Sequence, residues 1–114
     1  MKRSRARPPP PPGSASSSSV ARLASPANAA ALLATVTRDY YTQGPGMGIK
    51  LTRFVGTHIP GATAAHFSKG DENQYNVLFV SGPYFYDEDI FTRGQTLNQA
   101  QVCAYLHAFY QQTS

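Results

Sequence analysis

The chain has a single cysteine, Cys103, and no tryptophan. A lone cysteine excludes a disulfide within the chain and suits a reducing compartment. No apolar run approaches the roughly 18 residues that a membrane-spanning helix needs. The basic start is not followed by an apolar block either, which argues against a secretory signal. The expected location is therefore intracellular, in the nucleus or an organelle such as the mitochondrion. From Met1 to Arg38 there is no Asp, Glu, Phe or Tyr. That absence concentrates both the acids and the aromatic rings in the remainder of the chain.

What is there divides along the same line. Six basic residues (Lys2, Arg3, Arg5, Arg7, Arg22 and Arg38) stand in the acid-free part, and four basic against six acidic residues stand after it. The formal charge of +4 and the pI near 9.5 thus belong to the N-terminal part. The net charge of the whole chain therefore does not point to nucleic acid. The run "PPPPP" at Pro8 to Pro12 favours extended polyproline backbone, and "GSASSSS" after it has linker composition. Residues 1–25 are expected to be a disordered basic, Pro- and Ser-rich tail or targeting segment, and 26–114 a single small α+β domain. Within the tail, Lys2, Arg3, Arg5 and Arg7 read as an import signal, a polyanion-binding patch, an organelle presequence or simply solvated charge.

The domain begins at "SPANAAALLATVTRDYY". Ser25 is placed to cap a helix and Pro26 suits its first turn. Ala29, Leu32, Leu33, Val36 and Tyr40 follow at helical spacing. "QGPGMG" at Gln43 to Gly48 ends the helix. Strands are expected at Ile49–Val55, Ala62–Ser68 and Tyr75–Ser81, with a hairpin at "KGDEN" and a turn at "IPG". Gly82 and Pro83 are expected to break or bulge the third strand, and "YFYDEDIFT" to form a short hairpin turning at Asp87 to Asp89. A last helix starts at Asn98, with Gln101 three residues on and Leu97 and Val102 spaced as a hydrophobic staple. Val102, Tyr105, Leu106 and Phe109 form its apolar stripe. The fold class is α+β: a small antiparallel sheet of three to five strands flanked by an N-terminal and a C-terminal helix. Packing both helices on one face is the economical arrangement.

Catalytic signatures are weak. Cys103 and His107 lie one turn apart on the last helix, but no family pattern surrounds them, and a lone helical Cys is usually a small buried hydrophobe. His58, His66 and His107 lack metal-ligand spacing. "DED" lacks the alternating ligands and glycine of a calcium loop. "GPGMG" precedes a strand, not a helix, and so does not resemble a phosphate loop. No catalytic residue, metal or cofactor is expected.

Binding remains. All thirteen aromatic residues follow Asp39. If Phe85 faces the helices, alternation turns Tyr84 and Tyr86 the other way. An open face with Tyr75, Tyr84 and Tyr86, edged by Lys50, Lys69 and Arg93, suits stacking of unpaired bases. The same face suits packing on a partner protein, where Tyr is equally favoured. The expected function is a non-enzymatic binding module for single-stranded nucleic acid or, alternatively, a protein-interaction subunit of a larger assembly. A homo-oligomer is compatible with either.

The outline "VLF", "YFYDED", "GQTLNQAQ" and "YL" is carried by Val77, Leu78, Tyr84, Asp87, Gly94, Leu97, Asn98, Gln101 and Leu106. Over residues 77–106 it resembles the end of two single-stranded-DNA-binding families, the positive-cofactor type transcriptional coactivators and the Whirly proteins. The resemblance implies a nucleic-acid-binding sheet with a basic, Ser-rich arm. The chain departs from the coactivator outline where Gly82, Pro83 and acids replace basic residues beside the aromatic strand.

Overall fold

A computed structural model of the chain describes residues 9–43 and 48–113. Seven elements follow one another: β1 Ala15–Arg22, α1 Pro26–Gln43, β2 Lys50–Arg53, β3 Thr63–Lys69, β4 Glu72–Ser81, β5 Tyr84–Arg93 and α2 Gln99–Thr113. The five strands form one sheet in the order β1-β5-β4-β3-β2, with every neighbouring pair antiparallel. This is the expected α+β class.

Two hairpins make the centre of the sheet. Gly70 and Asp71 link β3 to β4, and Gly82 and Pro83 link β4 to β5. Gly82 has φ of +57°. A two-residue turn with a left-handed first residue matches the twist of its strands, and the proline ring fixes the second residue. Gly82 and Pro83 are therefore the hairpin turn itself, not a bulge. The turn expected at Asp87–Asp89 is corrected accordingly: these acids lie in the middle of β5, between β1 and β4. Acids have low strand propensity, and here partners on the neighbouring elements offset it.

Strand β1 is the second correction. Its sequence, "ASSSSVAR", lies inside the stretch read as linker, yet all eight residues pair with β5. Almost every side chain in it is exposed, so it leaves no apolar pattern to read. Its backbone satisfies the edge of β5, which needs hydrogen bonds and not side chains. Leu23 N also donates to Pro83 O at 2.8 Å. Lys2, Arg3, Arg5 and Arg7 lie outside the described residues.

The helices begin where their caps put them. Asn28 N donates to Ser25 Oγ at 3.1 Å, and Gln101 N donates to Asn98 Oδ1 at 3.2 Å. Each cap satisfies an otherwise unpaired donor of the first turn. Leu97 packs against the cluster that contains Val102. The helices do not share a face. Phe109 of α2 meets Phe79 and Tyr86, and Tyr105 bonds Glu88. Tyr40 of α1 bonds Asp87 and meets the edge of Phe67. Successive strand residues point to opposite faces, so Asp87 and Glu88 put α1 and α2 on opposite sides of the sheet. With every strand in one sheet, each face needs its own cover.

The core lies on the α2 side. Tyr75, Val77, Phe79 and Ile90 pack with Ile59, Ala64, Val102, Tyr105, Leu106 and Phe109. Each fully buried large side chain contributes about 1.5–3 kcal/mol. On the other side α1 buries only Ala29 completely, and Leu32, Leu33, Val36 and Tyr40 are half-buried.

Candidate functional site

The residues singled out in the sequence do not form one surface. Tyr84 and Tyr86 share a face, their rings 6.4 Å apart, and Phe85 is buried on the other side. That alternation is as expected. Tyr75 lies on the Tyr86 side, but it is 4% exposed, stacked on His66 at 4.3 Å, and its hydroxyl accepts from Leu97 N. It is core and not part of an open platform. Tyr86 is half-buried, stacked on Phe79 at 4.9 Å. Burial raises its phenol pKa, with the neighbouring Tyr84 adding to the rise. Only Tyr84, at 37%, is exposed, with the Arg22 guanidinium 5.9 Å over its ring.

The cations are elsewhere. Lys69, Glu72 and Arg93 face one another across β3, β4 and β5 at the far end of the sheet, on the α1 side. Arg93 pairs with Glu72 at 2.8 Å. Nine residues of strand, about 30 Å, separate Arg93 from Tyr84. Lys50 pairs with Ser68, so it points to the α2 side. The structure thus brings Lys69 and Arg93 together and leaves Lys50 and the tyrosines apart from them.

What the sequence reading missed is the floor beside Lys69 and Arg93. Phe67, Gln74 and Phe91 align in one row on the α1 side, next to the Lys69, Glu72 and Arg93 row. Phe91 is 40% exposed. With Ile49 and the backbone start of β1 they line a groove of about 660 Å³. Its floor is apolar, and its end carries Lys69 beside the Arg93–Glu72 ion pair. One signal was available: Phe85, Asp87, Asp89, Phe91 and Arg93 alternate along one face of β5, a mixture that no helix stripe can cover evenly.

Between the groove and the β4–β5 turn, the same face carries a carboxylate pair. Asn76 Nδ2 donates to Asp87 Oδ1 and to Asp89 Oδ1, both at 2.7 Å. Gln74 Nε2 donates to Asp89 Oδ1 at 2.8 Å, and Tyr40 OH donates to Asp87 Oδ2 at 3.0 Å. Burial and the adjacent Asp89 charge push Asp87 up to about 6, against the opposing bonds from Tyr40 and Asn76. Burial and the Asp87 charge likewise raise the Tyr40 phenol. On the opposite face the fully buried Glu88 accepts from Tyr105 OH at 2.9 Å and from the Ser18 hydroxyl. Glu88 thereby ties β1 and α2 to β5.

The Cys103 thiol is buried, which raises its pKa, and it donates to Val55 O at 3.6 Å. A raised thiol pKa opposes thiolate chemistry. Among the described residues no three His, Cys, Asp or Glu side chains converge as a metal cluster.

No family model matches the chain, and no curated protein matches it. Among solved structures it is similar to the extracellular domain of PknH from Mycobacterium tuberculosis, with a TM-score of 0.60 and 12% identity. The likeness covers 91% of this chain and 59% of that one. The chain therefore spans less than two thirds of that domain, and at this identity the shared property is the fold. No helix among the described residues is long and apolar enough to cross a membrane.

Proposed function

We propose that the chain is a non-enzymatic binding domain whose ligand is an amphiphilic anion held in the groove on the α1 side of the sheet. The observation that carries this reading is the exposed Phe91 ring in an apolar floor beside Lys69 and Arg93. Small-molecule sites are concave, mostly apolar and carry a few placed polar groups, with volumes of roughly 300–1,000 Å³. The groove has that size and composition. Phe67, Phe91 and Ile49 would cover an alkyl or aryl body. Lys69, which makes no ion pair among those described, would meet the acid group, with Gln74 beside it on the same face.

Calorimetry with decanoate and with decanol separates the two contributions. Decanoate should bind more tightly than decanol, with an advantage that shrinks as salt is added. Phe91→Asp should weaken decanoate at least about tenfold, or 1.4 kcal/mol, by placing a charge where the chain lies. Equal binding of acid and alcohol removes the role of Lys69. No heat with either ligand removes the groove as a site.

A second reading rests on the exposed patch beside α2. Val20 is 60% exposed, Tyr84 lies on the same face, and Tyr86 and Phe109 line a hollow next to them. In this reading the chain docks a protein partner, or single-stranded nucleic acid on Tyr84 and Arg22. Titration with single-stranded DNA at two salt concentrations tests the nucleic-acid form. Tyr84→Ala should then cost about 1–3 kcal/mol of binding, the worth of one stacked base. Binding that Tyr84→Ala leaves unchanged removes the stacking role.

A further inference from the structure

The loop between β2 and β3 is gripped by one row of α2 side chains. Gln99 Nε2 donates to Val55 O at 3.2 Å, and the Cys103 thiol donates to the same carbonyl. One turn further on, His107 Nδ1 lies 2.9 Å from Thr57 O. A carbonyl only accepts, so the Nδ1 of His107 carries a proton, and in the neutral ring the lone pair is on Nε2. The next loop residue is His58. It has φ of +56°, the only non-glycine residue with positive φ among those described. Its exposed ring stands edge-on to His107, with centroids 6.3 Å apart and planes at 89°.

Two features of this pair go beyond packing. His58 holds a left-handed backbone, which is uncommon for a residue other than glycine, and such conformations gather at working positions. Fixing the tautomer of His107 through a backbone carbonyl is the device by which proteins aim an imidazole nitrogen at a metal. The distances agree. With a metal–nitrogen bond of about 2.0–2.1 Å, each ring centre lies about 3.2 Å from the ion. Two rings on one ion then have centres between about 5.2 Å, for a tetrahedral angle, and 6.4 Å, for a linear one. The observed 6.3 Å is about 1 Å wider than the tetrahedral value, a gap that a swing of the exposed His58 ring would close.

We propose that His58 and His107 form a divalent metal site of the imidazole-preferring class, with zinc as the reference ion. The protein supplies two nitrogens and water completes the coordination shell. The ion would clamp the β2–β3 loop to α2, adding to the grip of Gln99 and Cys103. This site is independent of the groove on the other side of the sheet. The third histidine is not involved: His66 Nε2 is 2.7 Å from Asn73 Oδ1 and its ring is stacked on Tyr75.

The test is a zinc chloride titration of the untagged chain, read on the imidazole signals by NMR. The signals of His58 and His107 should move together, saturate at one ion per chain and return on addition of EDTA. The His66 signals should stay. His58→Gly is the informative variant, because glycine suits the left-handed backbone and removes only the ring. It should keep its fold by circular dichroism and weaken zinc binding at least tenfold. His107→Gln should do the same. Undiminished zinc binding in His58→Gly overturns the proposal, as does an equal response of His66 or no response up to millimolar zinc.

Discussion

On its α2 side the sheet buries Tyr75, Val77, Phe79 and Ile90 under Val102, Tyr105, Leu106 and Phe109. On its α1 side the same strands run from apolar Leu78 and Phe85, through Asn76, Asp87 and Asp89, to the exposed ring of Phe91. One face is a closed core and the other is a gradient. The difference lies in the helices. The α2 stripe repeats at i, i+3, i+4 and i+7 and covers the centre of its face. Only Ala29 of α1 is fully buried. Tyr40 bonds a carboxylate near the middle, and the groove lined by Phe67 and Phe91 remains. A strand can thus build stability with one set of alternate residues and leave the other set for binding.

The sharpest contrast is between two phenylalanines. Phe79→Ala should cost about 3–5 kcal/mol in chemical denaturation, since it empties the centre of the core. Phe91→Ala should cost about 1 kcal/mol or less, as a partly exposed ring away from any packed layer. Equal losses would erase the distinction between the faces.

Glu88 offers the next largest effect. Tyr105→Phe removes a donor from a buried carboxyl and should cost about 1–3 kcal/mol. Removal of the Ser18 hydroxyl should loosen β1 in particular, read as faster amide exchange at Ala15–Arg22. If exchange there is unchanged, Ser18 does not anchor the strand.

The caps should be smaller and alike. Asn98→Ala and Ser25→Ala should each cost about 1 kcal/mol, measured by denaturant midpoint. An unmoved midpoint in either case would place that helix start elsewhere.

The last effect, reduced by solvent screening because Asp87 is only half-buried, is a pH dependence that arises on the α1 side. Asp87 has a folded pKa of about 6, above the ordinary carboxylate value of about 3.9. A raised folded pKa means that the folded state holds the proton more tightly. Its contribution to stability is fully present below about pH 4 and is lost as pH rises through about 6. Asp87→Asn should therefore flatten the fall in melting temperature between pH 4 and 7 relative to the parent. A parallel pair of pH profiles would remove Asp87 as the cause.

Much of the fold is legible in the sequence, and the reasons are local. The caps at Ser25 and Asn98 carry their own hydrogen-bonding groups, and the α2 stripe carries its own period. The alternation of Tyr84, Phe85 and Tyr86 follows from strand geometry alone. What was not legible depends on partners distant in sequence. Strand β1 has no apolar residue before Val20 except Ala15, and it exists because β5 has an edge to satisfy. Asp87, Glu88 and Asp89 resemble a turn until Asn76, Tyr40 and Tyr105 are placed around them. The candidate site was half legible: Lys69 and Arg93 stood out as cations, but Phe67 and Phe91 gained meaning only from the strand register.

The most direct test of the contrast between the faces is an amide NMR titration of the chain with decanoate. Shifts should centre on Phe67 to Lys69, Gln74 and Phe91 to Arg93, while Val77 to Phe79 and Leu106 to Phe109 stay in place. Shifts centred on Val20, Tyr84 and Tyr86, or none up to the solubility limit of decanoate, would contradict the account.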